Sequence, residues 1–223
     1  MLLFSSMTTA TKPALRLLID GAHDGTFNME SDEHLFREHI QEQNEGAVLR
    51  FYRFNEPTLT IGYGMWRAAK GAVNGSIPAV RRLTGGGIVS HTPKDLTYSL
   101  ITCLEVHPSL RNAQDSYRLI HEALQKSFQS LGFNADLYQT CDSDCKQEKI
   151  SYCFDSPVLH DVMLGKKKIA GAGQKRSFGY LLQQGSIAWE VIRQARPELS
   201  ESEFCVTFAE QLSHLFKLSV HHG

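Results

Sequence analysis

Residues 81–91 read Arg-Arg-Leu-Thr-Gly-Gly-Gly-Ile-Val-Ser-His, and residues 168–176 read Lys-Ile-Ala-Gly-Ala-Gly-Gln-Lys-Arg. The glycines Gly85, Gly86 and Gly87 form a backbone without side chains, which can adopt positive φ angles and approach a ligand closely. A glycine run alone is typical of a hairpin turn. The polar residues on both sides of this run instead favour a binding loop. Together the two stretches predict two halves of one ligand site.

Short strand-like segments surround these stretches. Strands are predicted at residues 14–20, 48–54, 58–63, 79–82, 87–91, 97–104, 135–138, 158–164, 167–170 and 180–187. Helices are predicted after the capping residue Asn28, at 116–131 and at 202–215. We expect segments 48–54 and 58–63 to pair as a hairpin. Because no regular β-α-β alternation is present, the predicted fold class is α+β: one domain with a central mixed or largely antiparallel sheet flanked by helices.

Bulk properties agree with one globular domain. The chain has 223 residues, and we expect a flexible N-terminus at 1–13 followed by a single domain at 14–223. A formal net charge of -1 argues against nucleic-acid binding through an overall basic surface. The five cysteines are odd in number and no secretory signal precedes them, so we expect a cytoplasmic protein. The apolar residues 1–4 are too short to span a membrane.

Lys168 is the first candidate catalytic residue. It is the last cation of a three-lysine run before the apolar pair Ile169 and Ala170. A lysine held near a reacting carbonyl or thiol supplies fixed positive charge. The alternative is a solvated turn, which a lone three-lysine run more often forms. The glycines and Gln174 that follow favour the functional interpretation.

Cys153 is the second candidate, fifteen residues before Lys168. A cysteine becomes nucleophilic where nearby cations stabilise its thiolate. A free cysteine between aromatic residues is otherwise a small core residue. Cys141, Cys145, Cys153 and His160 match no structural zinc spacing, so no metal is predicted. The sequence also lacks a P-loop and a dinucleotide fingerprint.

The order of these motifs resembles the biotin/lipoate protein ligase and octanoyltransferase superfamily. The likeness covers most of the chain, including Asn28 to Glu33, Leu49 to Tyr52, Pro57 to Gly62, Leu96 to Ser99 and Gln184 to Ile187. The segment Cys153-Phe154-Asp155 is most similar to the cysteine-dependent lipoyl-domain octanoyltransferases. The resemblance implies the catalytic-domain fold of biotin and lipoate ligases. Two features depart from the pattern: Gly87, where transferases often have a bulkier residue, and the insertion at 141–145.

The resemblance implies that Cys153 accepts octanoyl from acyl carrier protein and passes it to a lysine of a lipoyl domain such as the glycine-cleavage H protein. Lys168 would stabilise the thiolate and the developing oxyanion. The implied substrate-binding residues are Arg82, Thr84, Gly85, Gly86, Gly87, His91, Gly171 and Gln174. No cofactor is implied, and we expect a monomer. We also expect an acidic partner to dock on Lys166, Lys167, Lys175 and Arg176.

Two alternatives remain open at this point. An ATP-dependent lipoate–protein ligase would form an acyl adenylate and use Lys168 to hold the acyl phosphate. We expect the residues after Ile187 to be too few for the accessory domain of such ligases, unless that domain is a separate chain. A non-catalytic relative that binds lipoyl domains would keep the fold without a reactive thiol. Biotin ligase is disfavoured because no Gly-Arg-Gly-Arg type loop occurs.

Overall fold

The computed structural model describes residues 13–69, 76–139 and 156–222. Its strands are β1 (Ala14–His23), β2 (Ala47–Phe54), β3 (Thr58–Ile61), β4 (Ala79–Arg81), β5 (Ile88–His91), β6 (Leu96–Cys103), β7 (Ala135–Leu137), β8 (Val162–Leu164), β9 (Lys167–Ser177), β10 (Tyr180–Ile187) and β11 (Ser219–His222). Its helices are α1 (Gly25–Gln41), α2 (Trp66–Ala69), α3 (Ala113–Ser130), α4 (Trp189–Ala195) and α5 (Glu201–Phe216), with short 3-10 helices at Tyr63–Met65 and Pro108–Leu110.

Two sheets organise these elements. The larger has eight strands in the order β11-β1-β2-β6-β10-β9-β8-β7, and the smaller has three in the order β4-β3-β5. In the larger sheet β1 runs parallel to both of its neighbours, and the other pairs are antiparallel. The prediction of an α+β fold with a mixed, largely antiparallel sheet is therefore confirmed.

The predicted hairpin between segments 48–54 and 58–63 is wrong. Strand β2 pairs with β1 and β6, whereas β3 pairs with β4 and β5 in the smaller sheet. Nearly every residue of β2 is buried, so both of its edges and both of its faces must be covered. A central position between two long strands satisfies this requirement, and the chain leaves the large sheet after Phe54.

Side chains alternate across the large sheet and divide the core into two layers. Leu49 and Phe51 of β2 pack with the aromatic residues of α5, including Phe204, on the face that also carries α3. Val48 packs on the opposite face with Phe36 of α1. Helix α3 has its apolar residues at helical spacing, which explains why its position was predictable.

Helix α1 begins earlier than predicted. Asp24 is its N-cap and accepts the backbone N–H of Phe27 at 2.9 Å. Asn28 is instead buried inside the first turn, where its amide donates to the carbonyls of His23 and Arg53. The predicted capping role of Asn28 is therefore wrong, and its side chain ties α1 to the sheet.

Strands β8 and β9 also differ from the prediction. The turn that precedes β8 includes His160 at φ 70°, so the strand begins only at Val162. Strand β9 continues to Ser177, well beyond the predicted end at residue 170. Of the helices formed by the described residues, none has both the length and the apolar composition that a membrane span requires.

Candidate active site

Arg82 organises the glycine loop, which comprises residues 82–87. Its guanidinium donates to the carbonyls of Gly85 at 2.8 Å, Gly87 at 2.9 Å and Thr60 at 2.8 Å. Gly86 has a φ of +97°, a conformation that favours glycine. The sequence predicted Arg82 as a substrate-binding residue. The structure shows a buried side chain that holds the loop in shape.

The glycine loop packs directly on strand β9. The N–H of Gly85 donates to the carbonyl of Gln174 at 3.1 Å. A Cβ at Gly173 would lie 2.6 Å from the carbonyl oxygen of Gly85, so this approach requires a glycine. Thr84 is fully buried and its hydroxyl donates to Gln184 at 2.8 Å. The two stretches that the sequence predicted as halves of one site are therefore in contact.

Lys168 lies in a buried polar cluster beside this contact. Its ammonium pairs with Asp161 Oδ2 at 2.8 Å, and the two side chains are only 6% and 0% exposed. Tyr117 of α3 donates its hydroxyl to Asp161 Oδ1 at 2.5 Å. The same hydroxyl accepts the backbone N–H of Ala172 at 3.1 Å. The solvated-turn alternative for Lys168 is excluded by this burial, although Lys166 and Lys167 are exposed.

Gly171 and Gly173 place the lysine and the glycine loop along one face of β9. They are register partners of Ser186 and Gln184, two residues apart, so they face the same way. A Cβ at Gly171 would lie 2.8 Å from the Lys168 ammonium. Two residues of strand span about 6–7 Å, so the ammonium and the loop lie within one substrate-sized region.

His91 and Gln174 make internal contacts. His91 Nε2 shares a 2.9 Å hydrogen bond with the Thr60 hydroxyl, and its ring stacks on Phe54. Burial, helped by nearby Arg82, lowers the pKa of His91 to about 3, so the ring is neutral. The amide of Gln174 donates to Gln183 at 2.8 Å and accepts from Ser116 at 3.2 Å. These contacts link the loop to its supporting elements.

Asp32 of α1 is a buried carboxylate that is connected to the glycine loop through Gln184. It accepts hydrogen bonds from Arg50, Tyr52, Ser99 and Gln184 at 2.7–2.8 Å and is fully buried. Gln184 in turn accepts from Thr84 of the glycine loop. A continuous chain of hydrogen bonds therefore connects α1, β2, β6 and β10 to the loop. Burial, followed by the Asp32 charge, raises the pKa of Tyr52 well above its usual value.

Several sequence candidates lie outside the described residues, namely Cys141, Cys145 and Cys153. Among the residues that the structure does describe, no three His, Cys, Asp or Glu side chains converge as metal ligands would. A surface groove of about 370 Å³ lies between β1 and α1. None of the predicted site residues lines it; its lining residues are Leu18, Ile19, Asp20, Ser31, His34, Leu35 and Arg50.

Sequence reasoning missed three residues of the Lys168 cluster. Asp161 and Tyr117 contact the lysine or its carboxylate partner, and His121 donates to the carbonyl of His160 at 2.7 Å. Burial lowers the pKa of His121 to about 4, so its ring is neutral. Tyr117 and His121 are four residues apart and share one face of α3. That polar pair within an apolar stripe is the signal that could have revealed them.

These observations place a buried lysine cluster and a glycine loop along one strand of an α+β fold. Residues 24–200 match the family model described as the lipoyl protein ligase A/B catalytic domain. The chain belongs to this family.

Curated relatives narrow the comparison. Octanoyltransferase LipM of Halalkalibacterium halodurans is 33% identical over 190 residues, covering 79% of this chain and 66% of the relative. Octanoyltransferase LipM of Staphylococcus aureus is 36% identical over 183 residues, covering 77% of this chain and 64% of the relative. The chain thus spans slightly less than two thirds of the length of these relatives.

Solved structures share the fold. A lipoate-protein ligase A bound with ATP aligns with a TM-score of 0.68 at 19% identity, covering 96% of this chain and 89% of the other. A bipartite lipoate protein ligase from Thermoplasma acidophilum, described with its E2 lipoyl domain, aligns with a TM-score of 0.65 at 20% identity. That alignment covers 95% of this chain and 87% of the other. The predicted catalytic-domain fold is therefore confirmed.

Proposed function

We propose that this protein is an octanoyltransferase of lipoate assembly. The observation that carries the proposal is the buried ammonium of Lys168 beside the glycine loop, in a chain whose curated relatives are octanoyltransferases. A fixed cation at this position suits a reaction in which negative charge develops on a carbonyl oxygen.

The proposed reaction has two acyl transfers. The thiolate of Cys153 attacks the thioester carbonyl of octanoyl acyl carrier protein, and the carbon–sulfur bond to the carrier breaks. The carrier thiolate takes up the proton released by Cys153. The ε-amine of the acceptor lysine on a lipoyl domain then attacks the Cys153 thioester. The attacking nitrogen loses one proton, the bond between the carbonyl carbon and the Cys153 sulfur breaks, and the departing sulfur takes up that proton. The reaction therefore needs no nucleotide.

Intact-protein mass spectrometry tests the covalent step. Incubation with octanoyl carrier protein should add one octanoyl group to the wild type and none to Cys153→Ser. Cys205→Ser is the matched control, because Cys205 is buried in the core, where burial raises its thiol pKa to about 12. Transfer to a lipoyl domain by Cys153→Ser would refute the covalent mechanism.

A lipoate–protein ligase is the second candidate, because the fold matches solved ligases along most of their length. The two functions differ in their activated substrate. Lipoyl-domain modification should proceed with octanoyl carrier protein in the absence of ATP and should fail with free lipoate plus ATP. The reverse pattern would establish the ligase. The monomeric state and the carrier-protein donor are part of the same proposal.

A further inference from the structure

Lys168 is held by a partner that the sequence motif does not contain. The carboxylate of Asp161 is fully buried and receives three contacts: the Lys168 ammonium at 2.8 Å, the Tyr117 hydroxyl at 2.5 Å and the backbone N–H of Val158 at 2.7 Å. The desolvation penalty of burying an ion pair is about as large as the free energy that the attraction between the two charges returns. Such a pair is poorly explained by stability alone.

Tyr117 of helix α3 restrains the ion pair of Lys168 and Asp161. Its hydroxyl donates to Asp161 and accepts from Ala172, so its hydrogen-bonding directions are both defined. Burial, followed by the Asp161 charge, raises the pKa of Tyr117 well above its ordinary value. The hydroxyl therefore remains a donor throughout the physiological pH range.

Gly171 provides the space in which the ammonium lies. A Cβ there would be 2.6 Å from Lys168 Cε and 3.1 Å from Asp161 Oδ1. The lysine head group is thus confined by a carboxylate, by the tyrosine behind that carboxylate and by a side-chain-free strand. A lysine side chain in solution samples many rotamers, and this arrangement restricts them before substrate arrives.

We propose that Asp161 and Tyr117 are positioning residues that aim one N–H of Lys168 at the carbonyl oxygen of the reacting thioester. The inference rests on the proposed acyltransferase function. With a carboxylate 2.8 Å away, the lysine belongs to a pair that is neutral overall, and its field fades quickly with distance. Lys168 therefore acts on the oxyanion by direct hydrogen bonding.

Tyr117→Phe is the decisive variant, because it removes one hydroxyl and keeps the ring. Single-turnover acylation by octanoyl carrier protein should slow by roughly 10- to 100-fold, as expected for a misplaced catalytic group. KM for the carrier protein should be unchanged. Tyr180→Phe is the matched control. Tyr180 is a buried tyrosine at the start of β10, whereas Gly171 of the Lys168 cluster pairs with Ser186 near the end of β10. The acylation rate of Tyr180→Phe should stay within about twofold of the wild type.

Asp161 provides the second comparison. Asp161→Asn should lose acylation, whereas Asp161→Glu should recover part of the rate because it restores a carboxylate to the lysine. Thermal unfolding of each variant shows whether it is folded. If Asp161→Asn does not fold, the Tyr117→Phe result alone decides.

The two ideas fail in distinguishable ways. A wild type that forms no acyl-enzyme overturns the proposed function. A wild type that acylates normally, with Tyr117→Phe at an unchanged rate or changed only in KM, overturns the positioning role. Equal rates for Asp161→Asn and Asp161→Glu, with both variants folded, overturn it as well.

Discussion

Asp32 is a buried carboxylate that accepts hydrogen bonds from side chains of three strands. Each of its two oxygens accepts two hydrogen bonds, and the residue is fully buried from solvent. Removing the Asp32 charge would leave its buried donors without an ionic acceptor, and Arg50 would keep Asp20 as a charge partner at 2.7 Å. The position should therefore be far more sensitive to substitution than a surface acid on the same helix.

Asp32→Asn should lower the free energy of unfolding by about 1–3 kcal/mol, because the new amide NH₂ faces two buried donors, while Arg50 keeps its pair with Asp20. Urea unfolding measures the loss. Glu33→Gln is the matched control: Glu33 pairs with Arg37 on the surface of α1, where such pairs contribute at most about 0.5 kcal/mol. Similar losses for the two variants would contradict the assigned role.

His91 and His121 should make the fold sensitive to acid. Their folded pKa values, about 3 and about 4, lie below the unfolded value of about 6.5. Between these limits the unfolded state binds more protons, so stability is full above pH 6.5 and falls as the pH drops. At pH 5 each histidine should cost about 2 kcal/mol.

Urea unfolding between pH 7.5 and pH 5 tests this expectation. His91→Gln should reduce the pH dependence, whereas His222→Gln, at an exposed position on β11, should leave it unchanged. If His91→Gln and the wild type showed the same dependence, His91 would not be buried in its neutral form.

Strand β9 contains two glycines, Gly171 and Gly173, that pack against different groups. A Cβ at Gly173 would meet the backbone of the glycine loop at 2.6 Å, and a backbone atom cannot move alone. Gly173→Ala should therefore displace the loop and cost about 1–3 kcal/mol of stability. Gly64→Ala is the control, since a Cβ there meets nothing within 4 Å. Equal melting temperatures for the two variants would argue against the packing of the loop on β9.

Gly171→Ala should act on the lysine instead of the loop. The nearest atoms are the end of the Lys168 side chain and Asp161 Oδ1, so the new methyl group would push apart a buried ion pair. Acylation should fall roughly 10-fold or more, and the melting temperature should also fall because the pair is strained. Rapid acylation by this variant would show that the lysine does not need its present position.

Charge is distributed unevenly over the whole molecule. Residues 57–94 and 162–189 contain ten Lys and Arg and no Asp or Glu. The rest of the chain keeps 13 of the 23 cations against all 24 acids, a formal net charge of -11. Tyr63 beside the glycine loop is half exposed, with Arg81 and Lys175 5.0 and 5.6 Å from its ring centre. The glycine loop and Lys168 thus lie in the basic segments of a chain that is slightly acidic overall.

This distribution predicts salt-sensitive docking of an acidic partner. Reversing Lys166 and Lys167 together to Glu should slow association with a carrier protein or lipoyl domain roughly 5- to 10-fold at low salt, and less at high salt. Lys126→Glu, on the exposed face of α3, is the control. Arg176 is unsuitable for this test, because it donates to the carbonyls of Leu110 and Arg111. Unchanged association at low salt would remove these lysines from the docking surface.

The glycine loop and the position of Lys168 before a buried strand were predictable because each depends on residues that are close along the chain. The family was recognised from the order of such motifs over most of the chain. A glycine run lacks Cβ atoms wherever it lies, and a lysine before an apolar strand carries its charge into the fold. The helical periods of α3 and α5 were readable for the same local reason.

Only the tertiary structure decided which groups these residues meet. Tyr117 is 44 residues from Asp161, and Asp32 is 67 residues from Ser99, so no local pattern links them. The separation of β2 and β3 into different sheets likewise followed from burial of β2 on both faces, which adjacent sequence cannot express. The sequence determines the charge and shape of each side chain. Which side chains contact one another depends on how the strands and helices pack to bury apolar surface.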